Sequence, residues 1–371
     1  METQNETNKD KDKDKDKDKE ETDELLKNSL DADTDINDIR VITKFKGITF
    51  SNFKLTDVRK EMLNTLMAAK IESACYWAAE LVCSAHYNEL WDIIFFFFGK
   101  FIHISNPKIA IYLQLRLEQF QNIIRFGFTN DELRLRNNAR IRYLFSEIVS
   151  ILCTSKRKKH ALENIKMKRQ DIFDLTMFGD LLKAPNADFA KDIFKPDDPM
   201  EFFVAINELC FCLSPEGKNI IQTCFWIEWI FDFEQLCNKR MMSLQNKKIQ
   251  CERRNQFPVE NKFQMEIVWI IWEILFLQIK KNKNKNKNKL IKNNVPIIQI
   301  QTNKSTSTND NIITETNNSL FLFIERTLTA TMNLFCFRYS SACAKKRRFL
   351  LYFAVSLLCE PTAILAEAVK E

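Results

Sequence analysis

The sequence predicts an all-α fold, an irregular bundle of about a dozen helices with at most a minor β-hairpin near residues 41–53. Three observations indicate this class. Phenylalanine occurs 31 times and glycine only 5 times in 371 residues, so bulky side chains are abundant and tight turns are few. Apolar residues recur at helical spacing, and prolines and capping residues mark helix starts. Strand-like alternation is confined to Val41–Phe53 and Val295–Ile300.

Residues 1–40 differ in composition from the rest of the chain. They hold 15 acidic and 8 basic residues, including a Lys-Asp alternation from Lys9 to Lys19. Because so few apolar side chains cannot offset the entropy of ordering the backbone, we expect a disordered acidic tail.

Residues 41–279 have the pattern of a helical core. Apolar stripes that one helix face would bury occur at Trp91, Ile94, Phe95, Phe98 and Ile102, at Ile109, Leu113, Leu117, Phe120 and Ile124, and at Phe202, Ile206, Leu209 and Leu213. Helix starts are marked at Pro107, at Thr129 with Glu132, at Asp198 with Pro199 and Glu201, at Ser214 with Pro215, and at Pro258.

A Lys/Asn alternation from Lys280 to Lys289 leads into polar sequence that ends near Asn318. We expect residues 280–318 to be a disordered insertion, and residues 319–371 to be C-terminal helices that pack on the core. Both low-complexity tracts consist largely of residues with A/T-rich codons or of a simple repeat. Repeat slippage is therefore favoured over a binding role.

The glycines exclude several classes of enzyme. The five glycines are at least 28 residues apart, so no two can share a loop. This spacing leaves no phosphate-binding loop, dinucleotide fingerprint, kinase glycine-rich loop or Gly-x-Ser-x-Gly elbow. We therefore expect no nucleotide and no other cofactor.

The 11 cysteines are too irregularly spaced for a disulfide framework or a zinc site. The densest group is Cys210, Cys212, Cys224, Cys237 and Cys251. Because these positions lack the paired spacing of zinc ligands, we expect reduced, buried thiols and no metal. The three histidines, His86, His103 and His160, provide no Glu-x-x-His step and no obvious catalytic base.

Four glutamates lie inside apolar helical runs: Glu80, Glu208, Glu228 and Glu273. If they met around one cavity, they could act as acid-base groups, which would make the protein an enzyme. The favoured interpretation is that each carboxylate pairs with Arg or Lys or reaches the edge of its helix.

Basic residues are concentrated between Arg134 and Arg169, where 11 basic residues face only Glu147 and Glu163, a net charge of +9. Such a segment could contact nucleic acid or another polyanion, although aromatic residues are not interleaved with it, and a solvated helix face is the alternative. The candidate contact residues are Arg134, Arg136, Arg140, Arg142, Lys156, Arg157, Lys158, Lys159, Lys168 and Arg169.

A second basic cluster precedes an apolar run of 11 residues, Phe349–Cys359. This run is too short to cross a bilayer, as is Ile267–Ile279, which Glu273 interrupts. As an alternative function, the protein could be membrane-peripheral, with the run as an interfacial anchor, but a core helix is favoured. The candidate membrane-contacting residues are Lys345, Lys346, Arg347 and Arg348.

The run KIESACYWAAEL, from Lys70 to Leu81, with Glu89-Leu90-Trp91 after it, resembles a conserved uncharacterised protein family of nucleocytoplasmic large DNA viruses. The runs INEL (206–209), WIEW (226–229) and WIIW (269–272) extend the resemblance over residues 45–279 and into 320–360. The resemblance implies a viral origin and no known activity. Glu72–Val82 is also similar to a collar helix of clamp-loader-type AAA+ proteins, whose nucleotide-binding motifs are missing here, so no ATPase activity is implied.

The leading hypothesis is therefore a non-enzymatic helical interaction protein of a large DNA virus, in the host cytoplasm, the viral factory or the virion. Its candidate partners are nucleic acid, an acidic protein or a second copy of the chain. The membrane-peripheral protein and the enzyme with buried carboxylates are the second and third hypotheses.

Overall fold

The structure, a computed structural model, describes residues 35–129, 131–158, 179–243, 248–293, 307–360 and 365. Over these ranges the chain forms α-helices joined by short 3₁₀ and π segments and contains no β-strand, which confirms the all-α class. The α-helices are α1 (Leu55–Met67), α2 (Ile71–Cys83), α3 (Tyr87–Phe97), α4 (Lys108–Gly127), α5 (Glu132–Asn137), α6 (Ala139–Thr154), α7 (Phe203–Leu213), α8 (Ile220–Ser243), α9 (Val268–Asn293), α10 (Ser307–Cys336), α11 (Ser341–Lys346) and α12 (Arg348–Cys359).

The chain divides into two compact units, and each is described by itself. Of the described residues, those in 35–93 and 115–154 form unit 1, and those in 94–114 and from 155 onward form unit 2. This division differs from the expected core over residues 41–279, because residues 94–114 group with the C-terminal helices. The first 34 residues lie outside the described part of the chain.

Unit 1 is organised around α2, which packs on α1 and α6. Its aromatic core contains Trp91, Phe120 and Phe145, whose ring centroids lie 5.3 to 5.9 Å apart. Edge-to-face contacts of this kind add to the stabilisation that burial gives. Residues 35–40, which we expected to belong to the disordered tail, contact this unit: the Ile36 N–H donates to the Asn137 carbonyl at 2.9 Å.

The strand-like alternation near residues 41–53 forms turns rather than a hairpin. Ile42–Phe45 is a 3₁₀ helix, and one isolated antiparallel bridge joins Ile48 to Lys54. Gly47 between them has φ +77°, a conformation that favours glycine. The other strand-like stretch, residues 295–300, lies outside the described residues.

Unit 2 is organised around α12, which packs against α8, α9, α10 and the π segment Phe98–Ile102. Residues 349–357 are all buried, so α12 is a core helix. One close approach depends on a missing side chain: a Cβ at Gly99 would lie 2.8 Å from the Phe349 carbonyl oxygen. Glycine therefore lets these two backbones touch.

The Lys/Asn tract is helical where the structure describes it. α9 continues through Lys280–Lys289 to Asn293, and α10 begins at Ser307, so the expected insertion over 280–318 differs from the structure at both ends. Lysine is a good helix former, and Lys283 also pairs with Glu325 of α10 at 3.0 Å. Residues 294–306 are not among those described.

The expected stripes are buried, except that Ile124 is half-buried, whereas the expected helix starts are only partly correct. Helix α4 follows Pro107 as expected. Helix α5 is capped by Asp131, while the Thr129 hydroxyl donates to the preceding helix at Arg125. The side chain of Asn219 accepts the Gln222 N–H at 3.0 Å before α8. Capping residues in the sequence therefore locate the start of a helix only approximately. The hydrogen-bond partners available in the fold determine the residue at which the helix begins.

Candidate functional site

The predicted basic segment falls in both units. Arg134 and Arg136 lie on α5 and Arg140 and Arg142 on α6, all in unit 1, whereas residues 156–158 belong to unit 2. Three of the candidate residues lie outside the described part of the chain, namely Lys159, Lys168 and Arg169.

Arg136 is a core residue and not a surface contact, which corrects the sequence-based assignment. Its side chain is fully buried, and its guanidinium donates to the Cys83 carbonyl at 2.9 Å and the Asp38 carboxylate at 2.7 Å. It also donates to the Arg40 carbonyl at 2.5 Å and lies over the Phe45 ring. A buried guanidinium is tolerated only with such partners, so Arg136 cannot reach a polyanion in the folded state.

The other arginines of α5 and α6 lie further out. Arg134 is exposed, and its guanidinium lies 5.6 Å from the centroid of the Phe128 ring. Arg142 is half-buried and donates to the Asn137 carbonyl at 2.7 Å. Arg140 is half-buried near the start of α6, beside the buried stripe that includes Ile141 and Leu144.

Two aromatic side chains are exposed in this region, contrary to the expectation that aromatic residues are not interleaved with the charges. Tyr143 is 64% exposed, one helical turn from Arg140 on the outer face of α6. Phe126 is 75% exposed at the end of α4, next to the exposed Arg125. Together with Arg134, we call these five residues the basic aromatic surface of unit 1.

Carboxylates also occur between residues 125 and 147. Asp131 accepts the backbone N–H of Arg134 as the cap of α5, and Glu147 pairs with Arg116 at 3.3 Å. Glu132 is exposed. Two of these three negative charges are therefore engaged by partners within the unit.

Residues 156–158 of unit 2 contact neighbouring segments. The Lys158 N–H donates to the Phe101 carbonyl at 3.0 Å, and Lys158 Nζ lies 3.8 Å from a Glu360 carboxylate oxygen. The Arg157 guanidinium lies 5.4 Å from the centroid of the Phe97 ring, and Lys156 is exposed. Arg157 and Lys158 are thus partly engaged in holding this segment in place.

The candidate membrane-contacting cluster also contains a buried arginine. Arg347 is 5% exposed and donates to the Phe335 and Phe337 carbonyls at 2.8 and 2.6 Å. Lys345 donates to Asp232, and Lys346 remains exposed. Arg347 is therefore corrected to a structural residue, because its guanidinium satisfies carbonyls at the end of α10.

Arg348 is also engaged, since its Nε lies 3.4 Å from a Glu228 oxygen. The apolar run that it begins is the buried helix α12, so this run is not available as an interfacial anchor. Among the helices of the described ranges, none is both long enough and apolar enough to cross a membrane.

The four embedded glutamates have separate partners. Glu80, in unit 1, accepts the Thr49 hydroxyl at 2.9 Å and both the N–H and hydroxyl of Ser51, at 3.0 and 2.6 Å. Glu208, in unit 2, accepts the N–H groups of Lys183 and Ala184 at 2.9 and 3.0 Å. These two carboxylates are buried and bind loop donors, whereas we expected each to pair with Arg or Lys or to reach the edge of its helix.

Glu228 and Glu273 do have basic partners. Glu228 accepts the Tyr352 hydroxyl and lies near Arg348, while Glu273 accepts from Arg254 at 3.1 Å. Arg254 is fully buried, and Asp198 is its main partner, with one bond at 2.6 Å. Burial, the largest single influence, raises the pKa of Asp198, but the hydrogen bonds from Arg254, Lys195 and Glu252 and the charge of Arg254 together lower it below its ordinary value. Asp198 is thus an ion-pair residue rather than the expected N-cap.

The described cysteines and histidines show no metal or nucleophile arrangement. Burial raises the pKa of Cys210 and Cys212 to about 12, so both are protonated thiols at neutral pH. His103 is buried, its pKa is lowered to about 4 by burial, and its Nε2 donates to the Lys158 carbonyl at 2.9 Å. Within the described ranges no group of three or more His, Cys, Asp or Glu is placed to hold a metal ion. His160 lies outside these ranges.

Glu234 and Glu266 are candidate site residues that the sequence pattern did not indicate. They line a pocket of about 640 Å³ in unit 2, formed by the second half of α8, the segment before α9, and α11. Phe231, Phe263 and Met265 contribute apolar surface to the same pocket. Glu234 lies between Phe233 and Gln235, two residues after Asp232, so in the sequence it resembles a solvated position; it is half-buried because segments that are distant in the sequence enclose it.

The two carboxyl groups of this pocket differ in their hydrogen bonds. Glu266 accepts the Tyr339 hydroxyl at 2.5 Å and the Ser341 hydroxyl. Burial, and next the charge of Glu266, raise the pKa of Glu234 to about 7. Near neutral pH, Glu234 is therefore partly protonated and partly ionised, whereas the Glu266 carboxylate accepts hydrogen bonds from two hydroxyl groups.

The chain was also compared with known proteins. No family model matches it, and neither the curated proteins nor the solved structures give a match.

Proposed function

We propose that this chain is a non-enzymatic helical interaction protein that contacts single-stranded nucleic acid through the basic aromatic surface of unit 1. The observation that carries the proposal is the exposure of Tyr143, 64%, one helical turn from Arg140. Exposed rings provide stacking platforms for unpaired bases, and neighbouring cations contact phosphates. Following the resemblance to the viral family, we propose that this contact serves replication, transcription or particle assembly.

The non-enzymatic part of the proposal rests on the partners of the buried charges. Glu80 and Glu208 bind hydroxyl and N–H donors of loops, and Glu228 and Glu273 bind different basic residues. Such separate arrangements support a structural role better than a shared acid-base centre.

Fluorescence anisotropy of a labelled oligo(dT) 20-mer tests the proposal directly. We expect the full chain to bind it, and Tyr143→Ala to weaken binding by about 1–3 kcal/mol, the usual effect of removing one stacking ring. Tyr76→Ala is the matched control, because Tyr76 is also exposed in unit 1 but lies on α2. Unchanged binding by Tyr143→Ala, or an equal loss in Tyr76→Ala, would contradict the proposal.

A further inference from the structure

The pocket of unit 2 has two properties that point to a ligand. It is large enough, at about 640 Å³, for a small organic molecule, and its walls combine apolar side chains with two carboxyl groups. A metal ion is a poor fit to this donor set, since hard cations need more oxygen ligands than two carboxylates in an apolar wall provide.

Among the described residues, the charged groups around Glu234 leave the two carboxyl groups of the pocket without a paired cation. The ionisable groups that act on Glu234 or line the pocket with it are Glu266, Lys248, Lys239, Lys262, Lys345, Tyr339, Cys237 and Cys251. Lys262 pairs with Glu260 at 2.5 Å, and Lys345 pairs with Asp232. Lys239 and Lys248 are exposed to solvent. The lysines thus lie toward the exterior or pair with other carboxylates. The negative charge of Glu234 and Glu266 is therefore only partly balanced.

We propose that this pocket binds a small organic ammonium ion, whose cationic nitrogen contacts Glu234 and Glu266 and whose apolar body packs against Phe231 and Phe263. An ammonium group supplies the donors that two carboxylates accept. Aromatic walls add favourable contacts to an organic cation that a hydrated metal ion would not make.

Binding of such a cation is linked to ionisation of Glu234. Because the pKa of this carboxyl is about 7, its ionised fraction rises about tenfold between pH 6 and pH 8. Affinity for the cation should rise by about the same factor over this range.

Isothermal titration calorimetry of the full chain with phenethylammonium, and with phenylacetate as the anion of similar shape, tests the proposal. We expect phenethylammonium to bind about tenfold more tightly at pH 8 than at pH 6, and phenylacetate not to bind. Glu234→Gln should abolish this pH dependence and weaken binding at pH 8 about tenfold. Glu216→Gln, which changes an exposed carboxylate of the same unit, should behave as wild type.

Three results would each overturn the proposal. The first is that phenylacetate binds as tightly as phenethylammonium, and the second is that phenethylammonium at roughly 10 mM does not bind at pH 8. The third is that Glu234→Gln behaves as wild type. If Glu234→Gln does not fold, the comparison of the two probes and the pH profile of the wild-type chain decide the question. Because the basic aromatic surface belongs to unit 1, failure here leaves the oligonucleotide experiment unaffected.

Discussion

Three arginines of this protein, Arg136, Arg254 and Arg347, are buried and bonded to carbonyls or carboxylates. Arginine is usually exposed, so composition predicts surface positions for all three. The groups that make burial tolerable lie far along the chain; Asp38 is 98 residues from Arg136. A sequence pattern shows only which residues are near each other along the chain. It therefore places Arg136 in the predicted polyanion-contacting segment and Arg347 in the predicted membrane-contacting cluster.

The first prediction concerns the carboxylate that pairs with Arg136. Asp38→Ala leaves a buried cation without its ionic partner, so we expect the free energy of unfolding in urea to fall by about 3–5 kcal/mol. Asp57→Ala, an exposed change in the first turn of α1, should lower it by about 1 kcal/mol or less. Equal effects of the two substitutions would show that Arg136 does not depend on Asp38.

The same carboxyl should affect stability at acid pH. Hydrogen bonds from Arg40, opposed by burial and supported by Arg136, hold the pKa of Asp38 below its ordinary value. Its contribution to stability is therefore complete above the ordinary pKa and is lost as pH falls toward the lower folded-state pKa. In urea titrations we expect Asp38→Ala to show a shallower acid-side loss of stability than wild type, and an unchanged profile would contradict this.

His103 should also reduce stability at acid pH, but here the form that the folded state favours is the neutral one. Burial lowers its pKa to about 4, so the unfolded chain binds the proton more readily than the folded one. Stability is present above the unfolded pKa of about 6.5 and falls as pH drops toward 4, by at most about 1.4 kcal/mol per pH unit. An NMR titration should place the His103 midpoint near 4, and a midpoint near 6.5 would contradict the burial argument.

At the scale of single elements, the helices were predictable because their signal is local. The buried stripe of α7, for example, is set by the spacing of Phe202, Ile206, Leu209 and Leu213 alone. The extent of α9 was not predictable, since part of its support is the Lys283 pair with α10. The pocket at α8 was missed for the same reason: the residues that bury Glu234 are distant in sequence.

The contact between the π segment and α12 leads to a prediction about glycine. Gly99→Ala would place a Cβ 2.8 Å from the Phe349 backbone, so we expect the free energy of unfolding to fall by about 1–3 kcal/mol. Gly127→Ala is the matched control, because a Cβ there meets nothing within 4 Å. Chemical denaturation measures both. Gly99→Ala with wild-type stability would mean that the two backbones do not approach so closely.

At the scale of the whole molecule, the fold class was predictable but the division into two units was not. Residues 134–158 read as one basic segment, yet the boundary between the units falls after Thr154. Fewer of the predicted basic residues can contact a ligand, because Arg136 is buried and because Arg157 and Lys158 contact other side chains of unit 2. The surface that we propose for nucleic acid is therefore a smaller part of unit 1, distinguished by its exposed aromatic rings.

The salt dependence of oligonucleotide binding tests this account most directly. Anisotropy titrations of oligo(dT) at several salt concentrations should give a steep decrease in log K with log salt, which Arg134→Gln with Arg140→Gln flattens by about 1.4, since each single-strand phosphate contact contributes about 0.7. Arg59→Gln with Lys60→Gln removes two exposed charges from α1 and should leave the slope unchanged. A salt-insensitive signal, no signal, or equal slopes for the two double variants would contradict the account.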